Sequence, residues 1–235
     1  MAIQVFACEV EGALGLDVSV SHSKATVADL LAAMQWATDD PQILKPFHRQ
    51  RYAPCVGCTN NCCKHNYITP DLYSAEALAS TLGLCLSEFA KEYLCLGPDR
   101  PYPEFKRRPC PWLENNRCTV YEQRSLICRL YLCTPMSDRL EQLRAAVSFA
   151  GEAALKKRLR ELGLGPSIWS VKLEREELLQ RRKRGDISHR DWLDRVEQLE
   201  ILWEINPFEL GQTYHDIRLV DCCTGSLWQR LTGAQ

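Results

Sequence analysis

The chain has 235 residues, with 29 Lys and Arg against 30 Asp and Glu, for a formal net charge of −1. Hydrophobic residues make up 46 % and charged ones 25 %, with only 12 Gly and 12 Pro, which excludes a disordered, collagen-like or low-complexity chain. The length suits one compact domain, or one with appended lobes, and can bury a core without cysteine staples.

Residues 1–45 read as a small mixed α/β unit. Val18 and Val20 alternate with Asp17, Ser19 and Ser21, a strand pattern, and Gly12 and Gly15 mark a turn after Val5–Val10. Thr26 can cap a helix over residues 27–36, which Asp39-Asp40-Pro41 stops. The Met1–Glu9 segment lacks a basic leader, and no apolar run approaches the ~18 residues of a membrane span. A cytoplasmic protein with no membrane partner is therefore expected.

In residues 46–137, Thr69-Pro70-Asp71 opens a helix with Pro at its first position, running to Gly83. Ser87 caps the next helix over 88–94, and the prolines from Pro98 to Pro111 impose an extended loop. Residues 138–235 are mainly helical. Asp138 caps a helix faced by Leu140, Leu143, Val147, Leu155, Leu159 and Leu162, which closes at Gly163-Leu164-Gly165-Pro166. Another helix spans 173–184. Ser188 opens a third, carrying Trp192, Val196, Leu199 and Trp203 on one side up to Asn206-Pro207. The fold class expected is mainly α, with an N-terminal β-hairpin and helix unit and irregular cysteine loops packed on helices.

The chain holds 13 cysteines, an odd number that fits a fully disulfide-paired monomer poorly. Eight of them form three local groups: Cys55-x2-Cys58-x3-Cys62-Cys63, then Cys110 and Cys118, then Cys128-x4-Cys133. In a reducing compartment, clustered thiols are more often metal ligands than cystines. Thiolates are soft, anionic donors suited to zinc, iron or an iron–sulfur cluster. Gly57, Asn60 and Asn61 tolerate the backbone of a tight thiolate-bearing loop, and Lys64, Arg117, Arg124 and Arg129 supply offsetting positive charge. The spacing is neither that of a zinc ribbon nor of a bacterial ferredoxin, so the metal and the number of centres stay open.

This order of motifs, from C-x2-C-x3-C-C through Thr-Pro-Asp to Cys-Pro-Trp-Leu, Cys-Thr-Val-Tyr-Glu-x-Arg and Cys-Arg-x3-Cys, resembles the bacterial YkgJ-type cysteine-cluster family. The resemblance covers Cys55 to Cys133, and chelation of zinc or iron is ascribed to that family. It implies that Cys55, Cys58, Cys62, Cys63, Cys110, Cys118, Cys128 and Cys133 are the metal ligands. Tyr121, Glu122, Arg124 and Arg129 match its polar signature. Trp112 stands where the family usually has Phe, Ser125 where it has Pro, and Leu130-Tyr131-Leu132 replaces an aromatic–proline step; none of these removes a sulfur.

The expectation is a metal-binding protein whose cluster is structural, storing or redox-active, with a metal ion as partner and the identity of any protein partner left open. Two other readings are an enzyme, since flagellin lysine N-methylases have a similar cysteine cluster, and a redox- or metal-sensing adaptor. Cys8, Cys85 and Cys95 are expected to be small buried hydrophobes. Cys222-Cys223 is expected to pack, with a ligand role second, and His48 and His65 are secondary ligand candidates. The basic run Arg181–Arg184 reads as a solvated helix end rather than a nucleic-acid contact.

Overall fold

The computed structural model describes residues 2–38, 62–64, 66–96, 103–106, 109–165 and 171–233. Strands β1 (Ile3–Val10) and β2 (Ala13–Val20) pair antiparallel, with Val5 opposite Val18 and Cys8 opposite Gly15. The alternation buries Ile3, Val5, Leu16, Val18 and Val20 on one face. Helix α1 (Val27–Thr38) lies on β1, and the Trp36 indole N–H donates to the Val5 carbonyl at 3.2 Å.

Helix α2 spans Leu72–Thr81 and helix α3 spans Leu86–Tyr93. Both start differently from the sequence expectation. Asp71, not Thr69, caps α2, with its carboxylate accepting from the Ser74 N–H, so Pro70 precedes the helix. Cys85, not Ser87, caps α3, where the Glu88 carboxylate accepts from the Cys85 N–H at 2.8 Å. Helix α4 (Leu126–Leu130) is short, and α5 (Asp138–Glu161) is the longest element described. Ser137 rather than Asp138 caps α5, because its hydroxyl accepts from the Leu140 N–H.

Helices α6 (Val171–Arg184) and α7 (His189–Glu200) pack on one another, and Ser188 caps α7 as expected. The α7 chain continues through a π-helical turn at Ile201–Ile205 and stops at Asn206, which has φ 42°. Two helices follow that the sequence reading did not foresee: α8 (Leu219–Cys222) and α9 (Gly225–Thr232).

The protein is mainly α with an N-terminal β-hairpin. Helix α5 is its axis and touches β2, α2, α4, α8, α9 and the π-turn. One continuous apolar cluster draws side chains from the hairpin, α1, the cysteine stretch and the C-terminal helices. The turn before α5 lies along β2: the Leu16 N–H donates to the Pro135 carbonyl, and the Ser137 N–H to the Leu16 carbonyl. Asp17 clamps Arg139 there through two hydrogen bonds of 2.7 and 2.6 Å, and also accepts from Ser137. Burial alone would raise the Asp17 pKa, but the hydrogen bonds from Arg139, Ser137 and the Val18 N–H outweigh it and hold the carboxyl below its ordinary range.

Candidate metal centre

The cysteine loops contain little regular structure. Cys62–Lys64 forms one 3-10 turn, closed by the Asn66 N–H on the Cys62 carbonyl at 2.8 Å. The Cys110 N–H donates to the Cys63 carbonyl at 2.8 Å, which stitches the first loop to the second. Cys110 leads into a tiny hairpin of β3 (Leu113–Glu114) and β4 (Arg117–Cys118), with Leu113 opposite Cys118. Asn115 and Asn116 make its turn at φ 48° and 60°, a left-handed conformation that asparagine accepts more readily than other side chains. The hairpin therefore folds Cys118 back beside the Cys110 strand. Trp112 next to it stacks on Tyr93 of α3 at 5.2 Å and meets Phe105 edge-on, so the second loop rests on an aromatic wall.

A 3-10 turn at Tyr121–Gln123 then leads to α4, which carries Cys128. The Arg124 guanidinium lies 3.4 Å over the Tyr121 ring and donates to the Tyr121 carbonyl. Ser125 precedes α4 but does not cap it; its hydroxyl donates to the Cys128 sulfur at 3.2 Å. Tyr131 sits close enough to Cys133 and Cys62 to feel the charge of both.

The electrostatics of these thiols is collective. The Cys63 thiol donates to the Cys62 sulfur, which lowers Cys62 and raises Cys63, and the Arg124 charge further favours the Cys62 thiolate. Burial pushes Cys110 up to about 11, and the neighbouring Cys118 and Cys62 add to it. Cys128 is pushed up to about 12 by burial and by the charges of Cys62, Cys110 and Cys118, against the opposing Ser125 hydroxyl. Cys118 is raised by burial. Half-buried thiols that raise one another resist joint ionisation until a cation neutralises them, and a coordinated metal inverts that balance by deprotonating the thiol outright. The donor set thus fits a thiophilic metal, with Arg124 offsetting the surplus negative charge.

Residues 54–149 match the family profile described as "CxxCxxCC: putative zinc- or iron-chelating domain". This is the cysteine-cluster family whose motif order the chain resembles. The CxxCxxCC segment covers the described loops and the first half of α5. Its first motif here is one residue longer than the family name, with three residues between Cys58 and Cys62. No curated protein and no solved structure matches the chain.

Of the expected ligands, Cys62, Cys63, Cys110, Cys118 and Cys128 gather within electrostatic reach of one another, and all five are thiols rather than cystine halves. Cys133 lies nearby, across Tyr131. Cys55 and Cys58 lie outside the described residues, as do His48 and His65. Among the described residues alone, no three His, Cys, Asp or Glu side chains are arranged to hold a metal ion.

Cys222 and Cys223 are buried in the apolar cluster, where burial raises both, in line with a packing role. Cys85 is exposed at the α3 cap rather than buried, and Cys8 and Cys95 are only partly covered. The basic run at the end of α6 is in part engaged within the chain: Arg182 lies 4.3 Å over Trp192, and Arg184 pairs with Asp186. No helix among the described residues is long and apolar enough to cross a membrane.

Two residues that meet beside the start of α4 are not legible in the sequence. Asp71 was recognised only as an acid at a helix start, although its carboxylate also receives the Leu126 N–H of α4. Tyr214 carries no signal in its neighbourhood, and the bond it makes spans 143 residues.

Proposed function

We propose that the loops bearing Cys55, Cys58, Cys62, Cys63, Cys110, Cys118, Cys128 and Cys133 chelate zinc or iron through cysteine thiolates, and that the bound metal ties these loops together. The chelating unit in this reading is the stretch 46–137. The observation that carries it is that the first and second loops are joined by the Cys110 N–H bond to the Cys63 carbonyl, with Cys118 and Cys128 within electrostatic reach of Cys110. The CxxCxxCC match supports the same chemistry. Coordination would release the thiol protons and couple metal binding to the folding of loops that have few apolar anchors of their own. The metal supplies Lewis-acid neutralisation of the thiolates. The chain supplies the sulfur donors, the Ser125 hydroxyl on Cys128 and the Arg124 charge.

The test is elemental analysis of anaerobically purified full-length protein, together with acid-labile sulfide and an absorption scan. Stoichiometric zinc in a colourless sample would indicate a closed thiolate site. A brown sample with iron and sulfide would indicate an iron–sulfur cluster. The double variant Cys58→Ser with Cys62→Ser should lose the metal and much of the stability. A fully folded protein holding only sub-stoichiometric zinc, iron and sulfide overturns the reading.

A further inference from the structure

We infer that Asp71 and Tyr214 are a positioning pair: Tyr214, from outside the CxxCxxCC segment, orients the Asp71 carboxylate, which holds the start of α4 and thereby sets the Cys128 thiol for metal. The inference rests on the chelation reading above. Asp71 is 1 % exposed, and its two oxygens accept four hydrogen bonds. Oδ1 takes the Ser74 N–H and the Tyr214 hydroxyl, each at 3.0 Å. Oδ2 takes the Ser74 hydroxyl at 2.7 Å and the Leu126 N–H at 2.9 Å. A carboxylate offers about four lone-pair positions, and four donors point at this one.

The Leu126 bond matters because α4 is five residues long, too short to sustain itself, and carries Cys128 at its centre. A serine before a helix ordinarily caps it. Here Ser125 turns its hydroxyl to the Cys128 sulfur instead, and the N-terminal N–H of α4 is met by a carboxylate 55 residues earlier in the chain. The cap and the sulfur contact are thus divided between two residues, leaving Ser125 free to address the sulfur only while Asp71 holds the helix.

Tyr214 fixes Asp71 from the other side. It is buried, its ring meets Tyr73 edge-on at 4.4 Å, and its carbonyl accepts from the Ala28 N–H of α1 at 2.9 Å. The Arg129 guanidinium, on the residue after Cys128, lies 5.6 Å from the same ring. Tyr214 therefore reaches α4 twice, through Asp71 at its first residue and directly at Arg129 beside the thiol.

The test compares Tyr214→Phe, Asp71→Asn and a control, Leu231→Ala, in reduced full-length protein titrated with Co(II) as the probe. Tyr214→Phe keeps the ring and removes only the hydroxyl donor. Leu231 is buried in α9, which packs on β2 and α5, and its aliphatic side chain makes none of the hydrogen bonds of the pair, so its truncation lowers stability through lost apolar burial. Tyr214→Phe should bind Co(II) roughly tenfold to hundredfold more weakly, as loss of a group that orients a ligand does. Its thiolate–cobalt spectrum should change shape. Asp71→Asn should lose more, and Leu231→Ala should lower the melting temperature with the spectrum and affinity intact.

A wild-type protein that takes up no Co(II) overturns the chelation reading and this inference with it. A wild type that binds while Tyr214→Phe binds with the same affinity and spectrum overturns this inference alone. So does a Tyr214→Phe loss no larger than that of Leu231→Ala at matched melting temperature.

Discussion

Helix α5 runs for 24 residues and buries 13 of them, whereas between Pro109 and Cys133 the longest regular element is the five-residue α4. The helix is held by apolar side chains at helical spacing, with Leu140, Leu143, Val147, Leu155 and Leu159 all inside. Each fully buried leucine contributes about 1.5–3 kcal/mol. The cysteine loops bury fewer side chains, chiefly Trp112 against Tyr93 and Phe105 and the leucines Leu126, Leu130 and Leu132, and add single directional bonds such as Cys110 to the Cys63 carbonyl, Arg124 to the Tyr121 carbonyl, and Leu126 to Asp71. A net hydrogen bond is worth about 0.5–1.5 kcal/mol, more when one partner is charged. Two neighbouring regions thus differ in the kind of force that orders them, and a metal ion would add most where burial adds least.

The sharpest way to break this comparison is to remove the metal. Under a strong chelator, amide exchange across 109–133 should accelerate by more than a hundredfold, since structural zinc is worth of order 10 kcal/mol to small thiolate domains. The amides of α5 from Leu143 to Leu155 should stay protected. Equal acceleration in both would show that the loops and the helix melt as one unit. Unchanged exchange in both would show that the loops need no metal.

Gly151 sharpens the boundary between the regions. A Cβ there would come 2.6 Å from the Asp71 Cβ, 3.2 Å from Leu126 Cδ1 and 3.4 Å from Phe208 Cε1. Gly151→Ala gains about 1 kcal/mol of helix propensity but forces α5 off the Asp71 side chain, where overpacking costs about 1–3 kcal/mol. We expect a net loss of up to about 2 kcal/mol in urea unfolding, by the same two terms, with weaker metal retention alongside. An unchanged or raised midpoint would mean that α5 and the Asp71 turn can separate without cost.

A further expected effect concerns pH. Burial raises Glu152 on α5 to about 8, opposed by Lys156 and reinforced by Asp71 and Glu104. Its folded pKa lies above the unfolded value of ~4.3. The contribution to stability is therefore complete below that value and is lost as pH rises toward 8. Melting temperatures of the wild type should decline across this window. Glu152→Gln should flatten the slope there, and an identical slope in the variant would assign the pH dependence to other groups.

The hairpin, α1, α5, α6 and α7 were all legible because each is a local pattern. Alternation over Leu16–Val20 and leucines at helical spacing in α5 name the buried face without knowledge of the partner. Helix starts were less legible. Cys85 caps α3 because Glu88 reaches back to its N–H, and Ser137 displaces Asp138 at α5 because its hydroxyl meets Leu140; several adjacent polar residues could have served at either place. The β3–β4 turn at Asn115-Asn116 was readable in principle but is flanked by strands of only two residues, too short to show alternation.

By itself the sequence determined the donor chemistry on offer: eight thiols in three short groups, with arginines near them, are soft donors because donor type is a property of the side chain. The tertiary structure decided which thiols lie near one another and what holds the start of α4 beside them. That Asp71 should cap α4 from 55 residues away, with Tyr214 closing the carboxylate from 143 residues away, follows from how helices pack around α5. Hydrogen bonds depend on positions of a few tenths of an ångström, and such positions are set by the packing of the whole molecule, which no local run of residues encodes.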